Sequence, residues 1–388
     1  MKKPHVLISV FTFPPARNGV ANAAYTHANI MQQLGCEVDV VTFGNRIVQS
    51  RENNILIARF PIAGKGHLLS PHRGKKKELY KYLTENHWNI VFMYCWQAWS
   101  TNCLMDYFSS RSRTEKLVLV SHGISTNSNI RKFPLNWVRR FLWFTYRQSS
   151  VPKYLRLLTE LVVLWDHYDD DRFLDHKIAH RMGIPVTVIP NSAQYNPMKV
   201  KRPSLRFSDK ELSGGFLLSV GNYSDEKNQF FVLDAYRRSR IIDIPLIFVG
   251  HQHNHYSAKL EKLARHWDLY KVQFCERLAK EEIDWLYMHS VLFLYGSRTD
   301  CQPIVILDCL ASKTLCISTD VGCVRFLNGV VVVSSVEEMA IQLRSFLRDS
   351  IQREKLIRQG FCFYNKEFSL SSVRNKWDIL LSKLLSRE

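Results

Sequence analysis

Long apolar runs are missing from this 388-residue chain: none approaches the ~18 residues that a membrane-crossing helix needs, which excludes a spanning helix. Paired cysteines are missing as well. The nine cysteines (36, 95, 103, 275, 301, 309, 316, 323 and 362) are odd in number and scattered, with no pair at zinc-knuckle spacing, and they read as reduced thiols of a cytosolic protein. No short-period repeat, no low-complexity tract and no Ser/His/Asp or Cys/His set for nucleophilic catalysis stands out. Acidic residues are scarce, 35 against 53 Lys and Arg, for a net charge of +18, and none occurs between Lys116 and Thr159. What is present is a large apolar share: 46% apolar and 12% aromatic residues carry far more hydrophobic surface than a disordered tail. The length fits two α/β domains or one large one.

Lys2 and Lys3, the apolar stretch Val6 to Phe13 and then Ala21-Asn22-Ala23 have the outline of a short secretory signal. Pro14-Pro15 and Arg17 break that outline, and the β-branched run Val6 to Val10 reads better as the opening strand of a parallel sheet. Further short apolar runs follow at Val38 to Thr42, Ile90 to Tyr94, Leu117 to Val120, Leu161 to Trp165 and Val186 to Ile189, with helical patterns between them. After a stretch rich in Lys, Pro and Ser, a second series runs Phe216 to Val220, Leu246 to Val249, Val272 to Phe274, Val291 to Leu294, Thr314 to Ile317 and Val330 to Val333. This is α/β grammar, and it predicts two doubly wound units: residues 1–195, residues 196–370, and a C-terminal helix over 371–388 that packs back on the N-terminal domain through Trp377, Leu380, Leu381 and Leu384.

Open α/β sheets bind ligands beyond the carboxyl ends of their strands, so the loops there carry the chemistry. After the first strand, Asn18-Gly19 leads into a helix, where Gly19 suits close approach of an anion, although Asn18 as a plain helix cap explains the pair better. After the seventh, Gly221-Asn222-Tyr223-Ser224-Asp225-Glu226-Lys227-Asn228 places Lys227 near a helix start as a point charge for phosphate. The sharpest pattern is Ser297 to Ala311. Pro303 fits the first turn of a helix, Asp300 and Asp308 flank that turn, and Cys301, Gln302, Pro303 and Ile304 offer backbone between them. Asp300 can accept hydroxyl hydrogens from a sugar, Asp308 can take a diol, and the N–H groups between can hold an anion. Asp308 within the apolar run Ile304 to Leu310 needs a partner, since an unpaired buried carboxylate costs several kcal/mol, on the order of ~5.

These residues together resemble the retaining glycosyltransferases of family 4, the glycosyl transferases group 1, over nearly the whole chain. Phe13-Pro14-Pro15 with Asn18-Gly19-Val20 is similar to the family's first glycine loop, His122-Gly123 to its histidine after a strand, and Ile189-Pro190-Asn191-Ser192 to its Ile-Pro-Asn-Gly element. Val220-Gly221 with Glu226-Lys227-Asn228 resembles the donor-phosphate loop. Asp300 and Asp308 stand at the spacing of the paired glutamates, ahead of Ser318-Thr319-Asp320-Val321-Gly322. The resemblance implies GT-B architecture, two doubly wound Rossmann-like domains facing a central cleft. It implies that Lys227, Gly221, Asn222 and Gly250 serve the donor diphosphate, Asp308 the ribose, Asp300 with the backbone after it the donor sugar, Gly19 the diphosphate and His122 the transferring sugar. Three positions depart from the family: Asn222 replaces an arginine whose charge Arg298 would supply, both glutamates are aspartates, and Gln252 replaces a glycine. The resemblance implies front-face substitution in which the departing phosphate takes the acceptor's proton, with no cofactor and no metal.

Rival patterns have plainer readings. Asp169-Asp170-Asp171 recurs in metal sites of other transferases, but acidic residues opening a helix complement its dipole. His251, His253 and His255 follow a strand and suit a solvated loop. The acid-free stretch interleaves Lys116, Arg131, Lys132, Arg139, Arg140, Arg147, Lys153 and Arg156 with Phe133, Trp137, Phe141, Trp143, Phe144 and Tyr146, the composition of an interfacial segment. Residues up to Ala193 carry 25 basic and 13 acidic side chains, a net of +12. The sequence therefore points to a cytoplasmic enzyme, peripheral on the inner face of the cytoplasmic membrane, that moves a hexose-type sugar from a nucleotide-sugar donor to a glycan or lipid-linked oligosaccharide acceptor. A nucleotide-sugar epimerase on the same fold and a catalytically degenerate binding protein remain as alternatives; nucleic acid is a poor fit as partner.

Overall fold

The computed structural model describes residues 3–16, 18–64, 71–124, 141, 144–166, 173–241 and 243–386. They form two compact units, Met1–Pro190 with Arg374–Glu388, and Asn191–Val373.

The first unit opens with β1 (His5–Ser9), α1 (Gly19–Gln33), β2 (Glu37–Phe43), β3 (Val48–Glu52) and β4 (Ile55–Phe60). A small ribbon of β5 (Ile62–Ala63) and β6 (Arg73–Gly74) precedes α2 (Lys76–Glu85), β7 (Ile90–Tyr94), α3 (Trp99–Ser109) and β8 (Lys116–Val120). Then come a π-helical turn at Tyr146–Ser150, α4 (Val151–Leu155), β9 (Glu160–Val163), α5 (Leu174–Arg181) and β10 (Val186–Val188). The sheet runs β10-β9-β8-β7-β1-β2-β4-β3 and is parallel except for β3. Val6, Leu7, Ile8 and all of Ile90 to Tyr94 are fully buried, as strands covered on both faces require. The apolar stretch with the outline of a secretory signal supplies a central strand: β1 lies between β2 and β7.

Two further strands join this sheet, and only the second, Ile55–Phe60, carries an apolar run. β3 is an exposed edge with charged Arg51 and Glu52, and it turns into β4 through Asn53 and Asn54, both at positive φ (48° and 63°) as a type I′ hairpin turn requires. β4 then takes the place beside β2.

The second unit holds α6 (Asp209–Leu212), β11 (Phe216–Val220), α7 (Gln229–Ser239), β12 (Leu246–Gly250), α8 (His255–His266), β13 (Val272–Glu276), α9 (Lys280–His289) and β14 (Ser290–Tyr295). It continues with α10 (Ile304–Ala311), β15 (Leu315–Thr319), β16 (Val330–Val333), α11 (Val336–Arg348) and α12 (Ser350–Glu367). Its sheet is wholly parallel in the order β13-β12-β11-β14-β15-β16, the doubly wound order whose switch point lies between β11 and β14.

The final helix, α13 (Leu370–Leu385), belongs to the first unit from Arg374 onward. Trp377 is fully buried against Phe92 (ring centroids 5.5 Å) and His27 (4.8 Å). Lys383 reaches the fully buried Glu160 of β9 at 2.7 and 2.8 Å, and Thr187 donates to the same carboxylate at 2.6 Å. The boundary expected at 195 falls instead at Pro190, because Asn191, Gln194, Tyr195 and Asn196 are all bonded to side chains of the second unit. No helix among the described residues is long and apolar enough to cross a membrane. All nine cysteines are free, and all are buried except the half-buried Cys301 and the exposed Cys362.

Two stability predictions follow from this packing. Lys383→Met strands Glu160 in the core and should lower unfolding free energy by about 3–5 kcal/mol in urea titrations, with most of the loss recovered in the Glu160→Gln/Lys383→Met double variant. His27 is buried against Tyr94 (Nδ1 to hydroxyl 2.8 Å), and burial, with a lesser effect of His122, pushes it down to about 3. The unfolded chain therefore binds a proton at His27 that the folded chain refuses, so stability should fall as pH drops from ~6.5 towards 3. At pH 5 the loss is about 2 kcal/mol, and His27→Gln should remove that share of the slope.

Candidate functional site

Three loops beyond the carboxyl ends of β11, β14 and β15 are laced together at the switch point of the second unit. The Glu226 carbonyl accepts the Arg298 amide (2.8 Å) and the Ser297 hydroxyl (3.1 Å). Asn228, left-handed at φ 49°, donates its side-chain amide to the Gly296 carbonyl (3.1 Å). The Thr319 hydroxyl donates to the Ser297 carbonyl (2.6 Å), and the Cys323 amide to the Cys301 carbonyl (2.9 Å). Gly322 has φ 51°, and a Cβ there would stand 2.0 Å from the Cys301 carbonyl oxygen, so only glycine lets this loop brace Asp300 and Cys301. Gln229 at the start of α7 clamps the first loop by donating to the carbonyls of Gly221 (3.1 Å) and Asn222 (3.0 Å).

Within this frame Lys227 and Asp300 meet. Lys227 Nζ lies 2.5 Å from Asp300 Oδ2 and 3.1 Å from the Tyr295 hydroxyl, and that hydroxyl donates to the same Oδ2 at 2.6 Å. The other carboxylate oxygen accepts the Cys301 amide at 3.0 Å. Burial, reinforced by Asp300, pushes the Tyr295 phenol well above its ordinary range, so it remains a neutral donor. Asp300 does not cap α10. The helix begins after Pro303, which stands outside the first turn as the extended N-cap residue with no capping side chain, so the first amides, beginning at Ile304, stay available to an anion. Arg298 is exposed on the same loop, its guanidinium 3.4 Å from Asn228 Oδ1.

Asp308 has the partner its burial demands, and the partner is main chain. Its Oδ1 accepts the amides of Gln194 (2.5 Å) and Tyr195 (2.8 Å), while Gln302 Oε1 accepts the Asn191 amide (2.6 Å). Burial pushes the Asp308 carboxyl up, opposed by Lys280 and by these amides. Asp284 of α9 accepts the Asn196 amide (3.3 Å) and pairs with Lys280. The Gln302 side chain thus fastens the connector, and of Asp308 only Oδ2, which no hydrogen bond from the described residues reaches, is left for a diol. At Gly250 the Tyr223 ring lies 2.4 Å from where a Cβ would sit, so the packing of the protein itself asks for glycine there. At Gly221 the nearest neighbour of an added Cβ would be 3.7 Å away, so the packing of the protein itself does not demand glycine there. Asn222 is exposed.

In the first unit, Asn18 caps α1 by accepting the Ala21 amide (2.9 Å), with Gly19 as the first helical residue. His122 and Gly123 follow β8, with the His122 ring 6.1 Å from that of Tyr94. The Gly123 amide donates to the Ser121 hydroxyl (3.0 Å), which in turn donates to Asp175, and the Trp96 indole donates to the same buried carboxylate at 2.9 Å. Nothing in the sequence pattern of α5 marks Asp175 for this role, and Tyr295 looks there like one more apolar strand residue. His251, His253 and His255 are exposed. Among the described residues no three His, Cys, Asp or Glu side chains gather as metal ligands; Asp169 to Asp171 lie outside them.

Removing the Asp308 acceptor should free the connector. Asp308→Ala leaves two amides unpaired at a cost of about 1–3 kcal/mol. Hydrogen exchange at Gln194 and Tyr195 should accelerate about 10- to 100-fold, whereas Asp308→Asn, which keeps an oxygen in place, should change it far less.

Residues 201–361 match the family model described as glycosyl transferases group 1. Comparison with curated protein sequences gives no match. Among solved structures the chain is similar to the sucrose-phosphate synthase of Thermosynechococcus elongatus (13% identity, TM-score 0.73, all of both chains covered). It is similar to the trehalose 6-phosphate synthase of Burkholderia multivorans (13% identity, TM-score 0.74, covering 100% of this chain and 99% of that one). It is also similar to Anabaena HepE in complex with UDP and glucose (13% identity, TM-score 0.69, covering 98% and 100%). At such identities the likeness shows the fold. The resemblance read in the sequence is upheld: the chain has the fold of the GT-B glycosyltransferases with two Rossmann-like units, and its residues 201–361 match the glycosyl transferases group 1 model.

Proposed function

We propose that the chain is a retaining glycosyltransferase of the family 4 type that moves a hexose-type sugar from a nucleoside diphosphate to a cell-surface glycan acceptor, lipid-linked or lipopolysaccharide-like. The observation that carries this reading is the meeting of Lys227, Asp300 and an uncapped helix start at the switch point of a group 1 domain. A diphosphate is a good leaving group, so the chain has to supply positive potential where charge develops and a firm hold on the sugar. Lys227 and the first amides of α10 supply the potential, with Arg298 beside them in place of the charge that Asn222 lacks. Asp300 accepts sugar hydroxyls, Asp308 Oδ2 takes a ribose hydroxyl, and Gly221 leaves room for the diphosphate. Gly19 and His122 keep the roles the family resemblance implies, His122 on a backbone that the Asp175 network holds. Neither a metal nor another cofactor enters this chemistry.

The acceptor side rests on the basic, acid-free stretch of the first unit. Phe141 and Phe144, three residues apart, are 60% and 54% exposed, an arrangement that suits rings seated at headgroup depth beside Arg147. Most of that stretch, Ser125 to Arg140 with Leu142 and Trp143, lies outside the described residues. A cytoplasmic protein held at the inner membrane face would meet a lipid-linked acceptor there.

Thermal shift against UDP-, GDP-, ADP- and TDP-sugars tests the donor reading; UDP comes first because Anabaena HepE binds it. One nucleotide sugar should raise the melting temperature, Lys227→Ala should abolish most of the shift, and transfer should survive a chelator. Absence of any shift defeats the reading, and turnover of the donor without acceptor identifies an epimerase instead. Sedimentation with anionic vesicles, lost in high salt, should accompany it.

A further inference from the structure

We propose that Tyr295 is a positioning residue: its hydroxyl keeps the Asp300 carboxylate aimed at the donor sugar when Lys227 turns to the diphosphate. The inference rests on the glycosyltransferase reading above. Asp300 Oδ2 has two donors, the Lys227 ammonium at 2.5 Å and the Tyr295 phenol at 2.6 Å. The two differ in freedom. Tyr295 ends β14 with 3% exposure, its ring stacked near Phe293 (centroids 6.4 Å), whereas the Lys227 side chain is 29% exposed on a long flexible stem.

A phosphate is a stronger attraction for that ammonium than a carboxylate already shared with a phenol, so donor binding draws Lys227 off Asp300. The carboxylate, itself only 19% exposed, then depends on the phenol and the Cys301 amide, one for each oxygen. Phenylalanine would fill the strand end equally well by shape. The hydroxyl is the part that packing does not ask for, and in a buried position it needs a partner, which Asp300 and Lys227 provide. Aspartate at 300, one methylene shorter than the family's glutamate, keeps its oxygen within reach of a phenol anchored in the strand.

The test uses the full chain and the nucleotide sugar that the thermal screen identifies, with the matching nucleoside diphosphate as the sugar-free probe. Tyr295→Phe should bind the nucleoside diphosphate within about 2-fold of wild type while kcat for transfer falls about 10- to 100-fold and KM for the donor moves less than about 3-fold. Lys227→Ala should lose affinity for both probes. Asp300→Asn and the Tyr295→Phe/Asp300→Asn pair should be about equally impaired, because both remove one contact. An unchanged kcat in Tyr295→Phe, an equal loss of nucleoside diphosphate binding, or additive losses in the pair overturns the inference while leaving the transferase reading intact. A wild-type chain that binds no nucleotide sugar overturns both.

Discussion

Every carboxylate this chain takes below its surface has to find donors in its own unit, and the fold is organised around where it finds them. An unsatisfied buried charge costs more than a single apolar contact returns. Glu160 finds Lys383 and Thr187, which docks the last helix on the first sheet. Asp175 finds Trp96 and Ser121, which fixes the turn after β8. Asp284 and Asp308 find the amides of the connector. Asp300 finds Lys227, Tyr295 and the Cys301 amide. In a chain with 18 more basic than acidic residues, such partners are plentiful, and each acid becomes a fastening point for a segment distant in sequence.

The two aspartates of the second unit divide their duties as a consequence. Asp300 sits in a loop, partly exposed, and one of its three donors, the Lys227 ammonium, is on a flexible stem that can exchange partners. Asp308 sits inside a helix, and its Oδ1 is held by main chain that cannot move without disturbing the connector. A ligand at Asp308 therefore touches a residue already structural. The spacing of eight residues that places both acids beside one helix start also commits them to different dielectric surroundings, and burial pushes the Asp308 carboxyl up.

Much of the fold was legible because parallel strands buried on both faces advertise themselves. Ile90 to Tyr94, Phe216 to Val220 and Val330 to Val333 fall where the apolar runs put them. β3 was not legible, since an edge strand carrying Arg51 and Glu52 has no apolar run and its Asn53-Asn54 turn works through backbone φ rather than composition, whereas the apolar run Ile55 to Ala58 of β4 was there to be read and is missing from the strands expected. The site shows the same limit. Residue type and spacing single out Lys227, Asp300 and Asp308, but they do not reveal that Gln302 turns to Asn191, that Gly250 makes room for Tyr223, or that a strand-end tyrosine joins the acid and the lysine. Those facts depend on which side of a strand or loop a side chain leaves, and that is set by packing.

The substitution of aspartate for glutamate reads differently once these contacts are known. A shorter acid reaches less far, which taken alone weakens a grip on a sugar. Here it also keeps Asp300 Oδ2 within 2.6 Å of a phenol fixed at the end of a central strand and keeps Asp308 Oδ1 on two amides. The loss in reach is offset by a gain in preorganisation, because a carboxylate held by rigid donors loses less freedom when a ligand arrives. The shortened pair and its donors therefore form one arrangement, with fixed geometry behind each acid.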